Sequence, residues 1–320
     1  MRSFIIDTDT ASDDAVALIM ALRAPDVDVK AITTVAGNVP LEQCTINALY
    51  TSELCGSEVP VYPGADKPLI RVMEYGDWFH GIDGLGEMNY PPPKRAAQSE
   101  HAVDALIRVI RENPGIVLVT LGPLTNVAMA VSKAPDIVQN VSRCVLMGGA
   151  ANTIGNVTPA AEFNIWVDPE AARIVFHSGL PIEMVGWELC RFEANLTLNE
   201  IAMVRGFETD LAEFSMDCNR RALEANLSQS GDPGLGLPDP VTMAIALDPT
   251  ICTRKSTHHV DIETQSDLTR GMTVVDEFNL AADPRNHHTW LPLSERAPGV
   301  SVCWEIDIPR WKEALYQSLR

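Results

Sequence analysis

Four aspartates, Asp7, Asp9, Asp13 and Asp14, fall within eight residues in the stretch Phe4-Ile5-Ile6-Asp7-Thr8-Asp9-Thr10-Ala11-Ser12-Asp13-Asp14-Ala15. Two carboxylates 4 Å apart repel by about 4 kcal/mol at an effective dielectric near 20, so side chains that converge call for a cation. Every donor on offer is an oxygen, and a hard ion such as calcium or magnesium is the expected guest. Helix capping accounts for Asp13 and Asp14, since acids favour a first turn. It leaves Asp7 and Asp9, on the segment before the helix, unexplained.

The elements that position these acids are readable from periodicity. Phe4 to Ile6 read as the end of a buried strand, and from Ala15 the apolar residues Val16, Ile19, Met20 and Ala24 recur at helical spacing. The acids therefore sit at a strand-to-helix turn, with Asp7 and Asp9 on one face and Ser12 as a candidate cap. A strand over 27–35 ends in Gly37-Asn38, a helix follows over 40–56, a short strand spans 59–62, and 99–112 is an amphipathic helix. The nearly pure apolar run 116–121 has the pattern of a buried parallel strand. After the stretch Gly122 to Asn126, a helix through Ala134, strand 144–147, helix 169–178 opened by Asp168 and Pro169, and strand 182–185 continue the alternation. Such alternation predicts an α/β fold with a mostly parallel sheet, helices on both faces, and a ligand site at the carboxyl ends of the strands. Beyond Leu196 the pattern is helical over 199–226, broken at 228–236 and helical again over 239–247. Residues 257–305 read as a small antiparallel strand region, with a last helix from Pro309. Without a repeat, low-complexity tract or linker, residues 1–320 are expected to form one domain.

Between the third strand and the fourth helix, residues 66–97 form a long loop holding Trp78-Phe79-His80-Gly81-Ile82-Asp83-Gly84-Leu85-Gly86. Loops of that length are functional or disordered, and aromatics beside His and Gly favour function. Anchoring of the loop to the body is the alternative for Trp78 and Phe79.

A net charge of −19 argues against tracking a phosphate backbone, so no nucleic-acid partner is expected. There is no leader and no apolar run of membrane-spanning length, which predicts a cytoplasmic protein away from membranes. Seven scattered cysteines, none in a CxxC pair, read as reduced thiols. Phosphate-loop, dinucleotide and nucleophile-elbow glycine patterns are missing. The pairs His258-His259 and His287-His288 fall in the strand-rich tail, where neighbours point to opposite faces, which argues against shared metal ligation. What remains is carboxylates plus amides. Asn156, Glu162 and Asn164 share one loop, and such groups supply donors and acceptors together for gripping hydroxyls.

Taken together, Asp7-Thr8-Asp9 with Asp13-Asp14-Ala15, Gly37-Asn38, His80-Gly81 with Asp83-Gly84-Leu85-Gly86, Leu121-Gly122-Pro123-Leu124-Thr125-Asn126, Met147-Gly148-Gly149 and Ala161-Glu162-Phe163-Asn164 resemble the nucleoside hydrolase family, calcium-dependent and like its inosine-uridine-preferring branch. The resemblance spans nearly the whole chain. It implies a Rossmann-like central sheet, a ribonucleoside substrate cleaved to base and ribose, one Ca2+ ion, and a homodimer or homotetramer. Carried over position by position, Asp9, Asp14, Asp239 and the main-chain carbonyl of Leu121 would ligate calcium. Asp9 would also act as general base on a calcium-bound water, with Asp13 as its partner toward the ribose hydroxyls. Asn38, Asn156, Glu162 and Asn164, with His80 and Met147, would contact substrate, and Asp7 would orient the other acids.

One departure stands out. In the inosine-uridine branch a histidine precedes the last metal aspartate and is implicated in protonating the leaving base, whereas here Pro238 precedes Asp239. His80, or stacking of the base on Trp78 or Trp187, would have to serve instead. Two rival readings follow from the same residues. One is a haloacid-dehalogenase-type, magnesium-dependent phosphohydrolase with Asp7 as nucleophile, and the other a non-catalytic, calcium-dependent nucleoside or ribose binder.

Overall fold

The strand that carries the first aspartates is apolar on both faces, and in the computed structural model of the chain it lies inside an eight-stranded sheet. The structure describes residues 1–229, 234–280, 283–286 and 299–320. Strand β1 (Arg2–Thr8) pairs in parallel with β2 (Val27–Thr34) on one side and β4 (Ile116–Thr120) on the other. Beyond β2 lies β3 (Val61–Pro63); beyond β4 follow β5 (Val141–Met147), β6 (Ile182–Val185) and β10 (Val300–Ile306), all parallel. Strand β7 (Cys252–His258) closes the far edge antiparallel to β10, and β8 (Val260–Ile262) with β9 (Thr273–Val275) makes a separate antiparallel pair.

Period-two alternation assigns the side chains to two cores. Phe4 and Ile6 pack with Val117, Val119, Val145 and Met147 under α1 (Ser12–Arg23), α2 (Leu41–Leu54), α11 (Pro238–Leu247) and α12 (Ile308–Leu319). Ile5 joins Ile116, Leu118, Cys144 and Leu146 on the opposite face, under α4 (Ala102–Glu112), α5 (Thr125–Lys133) and α7 (Pro169–Phe176). Phe4, Ile5 and Ile6 are fully buried, and each contributes about 1.5–3 kcal/mol of apolar transfer. That anchorage fixes where β1 ends. From β1 the sheet grows one way through β2 and β3 and the other way through β4 to β6, so the carboxyl ends of β1 and β4 open a crevice at the reversal of strand order.

Several expected boundaries move. The helical stretch over 199–226 is three helices, α8 (Leu198–Arg205), α9 (Asp210–Asp217) and α10 (Arg220–Gln229). Gly206 ends the first, Glu208 turns the chain at φ 55°, and Thr209 caps the next by accepting from the Ala212 N–H. The loop over 66–97 contains a one-turn helix, α3 (Asp77–His80). Ser12 is the first helical residue rather than the cap; Ala11 occupies that position, and its N–H donates to Asp14. Strand β7 begins at Cys252 because it is an edge strand whose run Thr253 to Thr257 is exposed throughout, which leaves no alternation to read. In the C-terminal region β10 is antiparallel to β7 yet parallel to β6. The His287-His288 pair and residues 230–233 lie outside the described residues. Among the described residues no helix is long and apolar enough to cross a membrane.

Candidate active site

Where β1 stops, its last side chains diverge. Asp7 is fully buried, and its Oδ1 accepts from Thr33 Oγ1 at 2.6 Å and Asn126 Nδ2 at 2.9 Å, while Oδ2 has no partner. Burial pushes its carboxyl up to about 7, against the lowering effect of those two donors. Asp7 therefore ties β1 to β2 and α5 instead of hydrogen bonding to another acid. A phosphohydrolase nucleophile must face its substrate, whereas Asp7 turns to Thr33 and Asn126 between β2 and α5.

Asp9 lies in a slot made by two glycines. A Cβ on Gly37 would meet Asp9 Oδ2 at 2.1 Å, and one on Gly122 would meet Asp9 Oδ1 at 2.7 Å. The Asn38 N–H donates to Asp9 Oδ2 at 2.6 Å; Oδ1 has no partner. In the first turn of α1, Asp14 accepts from Thr8 Oγ1 and, at 2.9 Å, from the Ala11 N–H. Asp13 is buried, with Oδ1 unpartnered, and Asp239 arrives from the first turn of α11. Oxygens of Asp13, Asp14 and Asp239 lie within 4.8 Å of one another.

Desolvation raises all four carboxyls of this cluster. Asp13 and Asp14 are pushed up to about 6, while Asp9 and Asp239 rise well above the carboxylate range, their neighbours' charges adding to burial. Buried carboxylates with unpaired oxygens and a glycine slot around Asp9 fit a hard cation. The closest trio is Asp13, Asp14 and Asp239, whereas the resemblance put Asp9, not Asp13, beside Asp14 and Asp239. The Leu121 carbonyl, the fourth expected ligand, accepts from Asn164 Nδ2 at 2.8 Å and keeps a second lone pair.

A cavity of about 500 Å³ opens beside these acids. Nine of the eleven expected site residues line it: Asp13, Asn38, His80, Leu121, Met147, Asn156, Glu162, Asn164 and Asp239. Asp9 and Asp14 do not, being fully buried. Glu162 caps the short helix α6 (Phe163–Val167), accepting from the N–H groups of Asn164 at 2.8 Å and Ile165 at 3.3 Å, and from Gly149 at 2.8 Å. Burial nonetheless pushes it up to about 7. Asn156 Oδ1 accepts from the Phe163 N–H at 2.9 Å. Asn164 spends its amide on Leu121 O and on the main chain and sulfur of Met147, the last residue of β5. Its role in holding the loop to the strand ends is thus visible. His80 Nδ1 is 2.8 Å from Ser12 Oγ and 3.8 Å from Asp13 Oδ1, and burial lowers its pKa to about 4. A neutral imidazole with one nitrogen engaged is a poor proton source at neutral pH.

Trp78 is 60% exposed and stands edge-on to Phe79, and both line the cavity with the partly buried Trp187. Two participants escaped the sequence reading. Asn126 bridges Asp7, Thr34 O and the Ala65 N–H, and its only signal was its place in the Gly122 to Asn126 turn. Arg191 lines the cavity, and a cation just after the β6 turn of so acidic a chain was a signal available in advance.

Comparisons with known proteins agree with this architecture. The chain is 40% identical over 292 residues to the pyrimidine-specific ribonucleoside hydrolase RihA of Shewanella sp. strain MR-4, covering 89% of this chain and 90% of the relative. Its fold superposes on a plant nucleoside hydrolase, the PpNRh1 enzyme, with a TM-score of 0.90 and 32% identity, covering 99% and 98% of the two chains. A purine-preferring ribonucleoside hydrolase from Gardnerella vaginalis gives a TM-score of 0.87 and 32% identity at the same coverage. Residues 4–313 match the family profile described as inosine-uridine preferring nucleoside hydrolase, and the chain belongs to that family.

Proposed function

We propose that the protein hydrolyses the N-glycosidic bond of free ribonucleosides to ribose and base with the help of one calcium ion. The observation that carries this reading is the adjacency of a buried acid cluster to a cavity lined by Asn38, Asn156, Glu162 and Asn164. A calcium ion held by Asp9, Asp14, Asp239 and the Leu121 carbonyl, with Asp13 beside it, would supply the positive charge the cluster lacks and acidify water there. Asp9, held through Oδ2 by the Asn38 N–H, keeps Oδ1 to receive a proton from the attacking water. Asp13 Oδ1 is available to a ribose hydroxyl. Cleavage gives the sugar oxocarbenium character, and the negative field of the aspartates and Glu162 stabilises it. The same field repels a 5′-phosphate, which favours nucleosides over nucleotides.

A reducing-sugar assay over purine and pyrimidine nucleosides and a 5′-monophosphate, with and without EGTA, tests the reading. Ribose release that EGTA abolishes and calcium restores is expected. Release indifferent to chelation would remove the metal, and no release from any nucleoside would remove the reaction.

We infer further that residues 1–320 form one domain, a reading supported by the insertion of β10 between β6 and β7. Family likeness supports a homodimer or homotetramer, and seven free cysteines support a reducing cytoplasm. Sedimentation equilibrium and fractionation of the tagged protein test these two points.

A further inference from the structure

Arg191 is out of keeping with its surroundings. The chain has 43 acidic and 24 basic residues, and its arginines are commonly spent on carboxylates, as in the pairs Arg71–Glu170 and Arg143–Glu183. Arg191 lines the cavity beside the acid cluster, and among the described residues lining it no other Lys or Arg occurs. Its guanidinium makes no ion pair or hydrogen bond to any described residue. Two rings hold it instead: Trp187 with its centroid 5.8 Å away and Phe192 at 4.6 Å. Phe192 adopts φ 52°, a left-handed backbone uncommon for an aromatic residue, and is 57% exposed, so strain is being tolerated where the ring meets the cation. Stacking on rings occupies the face of a guanidinium and leaves its edge N–H groups available as a planar fork.

Breaking an N-glycosidic bond needs such a group. The C1′–N pair leaves with the base, and the negative charge spreads to the acceptor atoms on its edge. Three other candidates for the role are engaged or lack a donor. His80 shares Nδ1 with Ser12 and is buried, Asn164 is bound to Leu121 and Met147, and Pro238 has no N–H.

We propose that Arg191 receives the departing base, donating its guanidinium edge to the base's acceptor atoms and offsetting the charge that builds there; the assignment rests on the ribonucleoside hydrolysis proposed above. Water oxygen bonds to C1′ as the C1′–N bond breaks, the water's proton passes to the acid cluster, and the base anion takes a proton from solvent on release. Arg191 keeps its own protons throughout. Bases that present a carbonyl or ring-nitrogen acceptor edge, uracil and hypoxanthine among them, are the class it fits.

Leaving-group dependence is the test. Uridine and inosine depart as poorly stabilised anions, whereas p-nitrophenyl β-D-ribofuranoside releases an anion that needs no help. In Arg191→Met, kcat/KM for the two nucleosides should fall by about 100-fold or more, while cleavage of the nitrophenyl riboside stays within a few fold of wild type. Retained nitrophenyl riboside turnover also reports an intact fold and acid cluster. Arg191→Lys, which keeps the charge but loses the fork, should recover part of the nucleoside rate, and it carries the same comparison if the methionine variant fails to fold. Equal losses on both kinds of substrate, or unchanged nucleoside turnover, would overturn the role. A wild-type protein that cleaves the nitrophenyl riboside but no nucleoside overturns it too, and one that cleaves neither overturns the reaction itself.

Discussion

Calcium should stabilise this protein more as the pH rises, and the acid cluster says by how much. The carboxyls of Asp13 and Asp14 are raised from 3.8 to about 6 by burial. A folded-state pKa above the unfolded one means that the folded chain holds the extra proton. The stability this lends is complete below pH 3.8 and is lost as pH rises toward 6. Between pH 5 and 7.5 one such carboxyl loses about one pH unit of this linkage, or roughly 1.4 kcal/mol. We count only one of the pair because they titrate together. Asp9 and Asp239, raised further, act in the same direction. His80, lowered to about 4, acts oppositely below its ordinary pKa, but in both the calcium-bound and calcium-free protein. The diagnostic is therefore the difference between the two. At roughly 2 °C per kcal/mol for a chain of this size, the gap in Tm between calcium and EGTA samples should widen by about 3 °C or more from pH 5 to 7.5. Differential scanning fluorimetry at the two pH values measures it. A gap that stays constant or narrows would refute the argument that calcium replaces protons on these carboxyls.

Three substitutions probe the supports around the cluster. Asn126→Leu removes hydrogen bonds to Asp7, Thr34 O and the Ala65 N–H, at a cost of about 3 kcal/mol in urea unfolding at unchanged m. Asp7→Asn should cost under about 1 kcal/mol in the same assay, because its amide oxygen can still accept from Thr33 and Asn126; a loss of several kcal/mol would show that the negative charge itself matters. Gly122→Ala places a methyl 2.7 Å from Asp9 Oδ1, and calorimetry should find calcium affinity weakened by about 10-fold or more.

Legibility in the sequence followed the strength of local constraint. The run Phe4 to Ile6 must be a buried strand and Val16 to Ala24 must be a helix, so the place of Asp7 to Asp14 at the turn between them could be read from period alone. Asp239 could be placed beside them only through resemblance, since no local pattern signals a partner more than two hundred residues away. The site contacts divided along similar lines. Asn156, Glu162 and Asn164 announced themselves as polar residues in one loop, yet much of their bonding holds backbone, because buried N–H and carbonyl groups at strand and helix ends must be satisfied by something. Arg191 stood out only as a cation in an acidic chain, and Phe192 not at all, because a ring held under a cation by an unusual φ leaves no periodic trace. The three-way division of 199–226 leaves little trace in the apolar period, because helical spacing persists across the breaks at Gly206 to Thr209 and at Cys218 to Asn219.

The insertion of β10 between β6 and β7 has a consequence for synthesis. Until Val300 to Ile306 leaves the ribosome, β6 has an open edge and β7 has no partner in the sheet. At translation rates of about 5–20 residues per second, the more than one hundred residues between β6 and β10 keep that edge unpaired for on the order of 5–20 s. A strand edge left open that long is a template for pairing with another chain. Nascent chains halted before Val300 are therefore expected to be captured by chaperones or lost to aggregates, and the last seven-residue strand decides whether the nascent chain reaches its folded state.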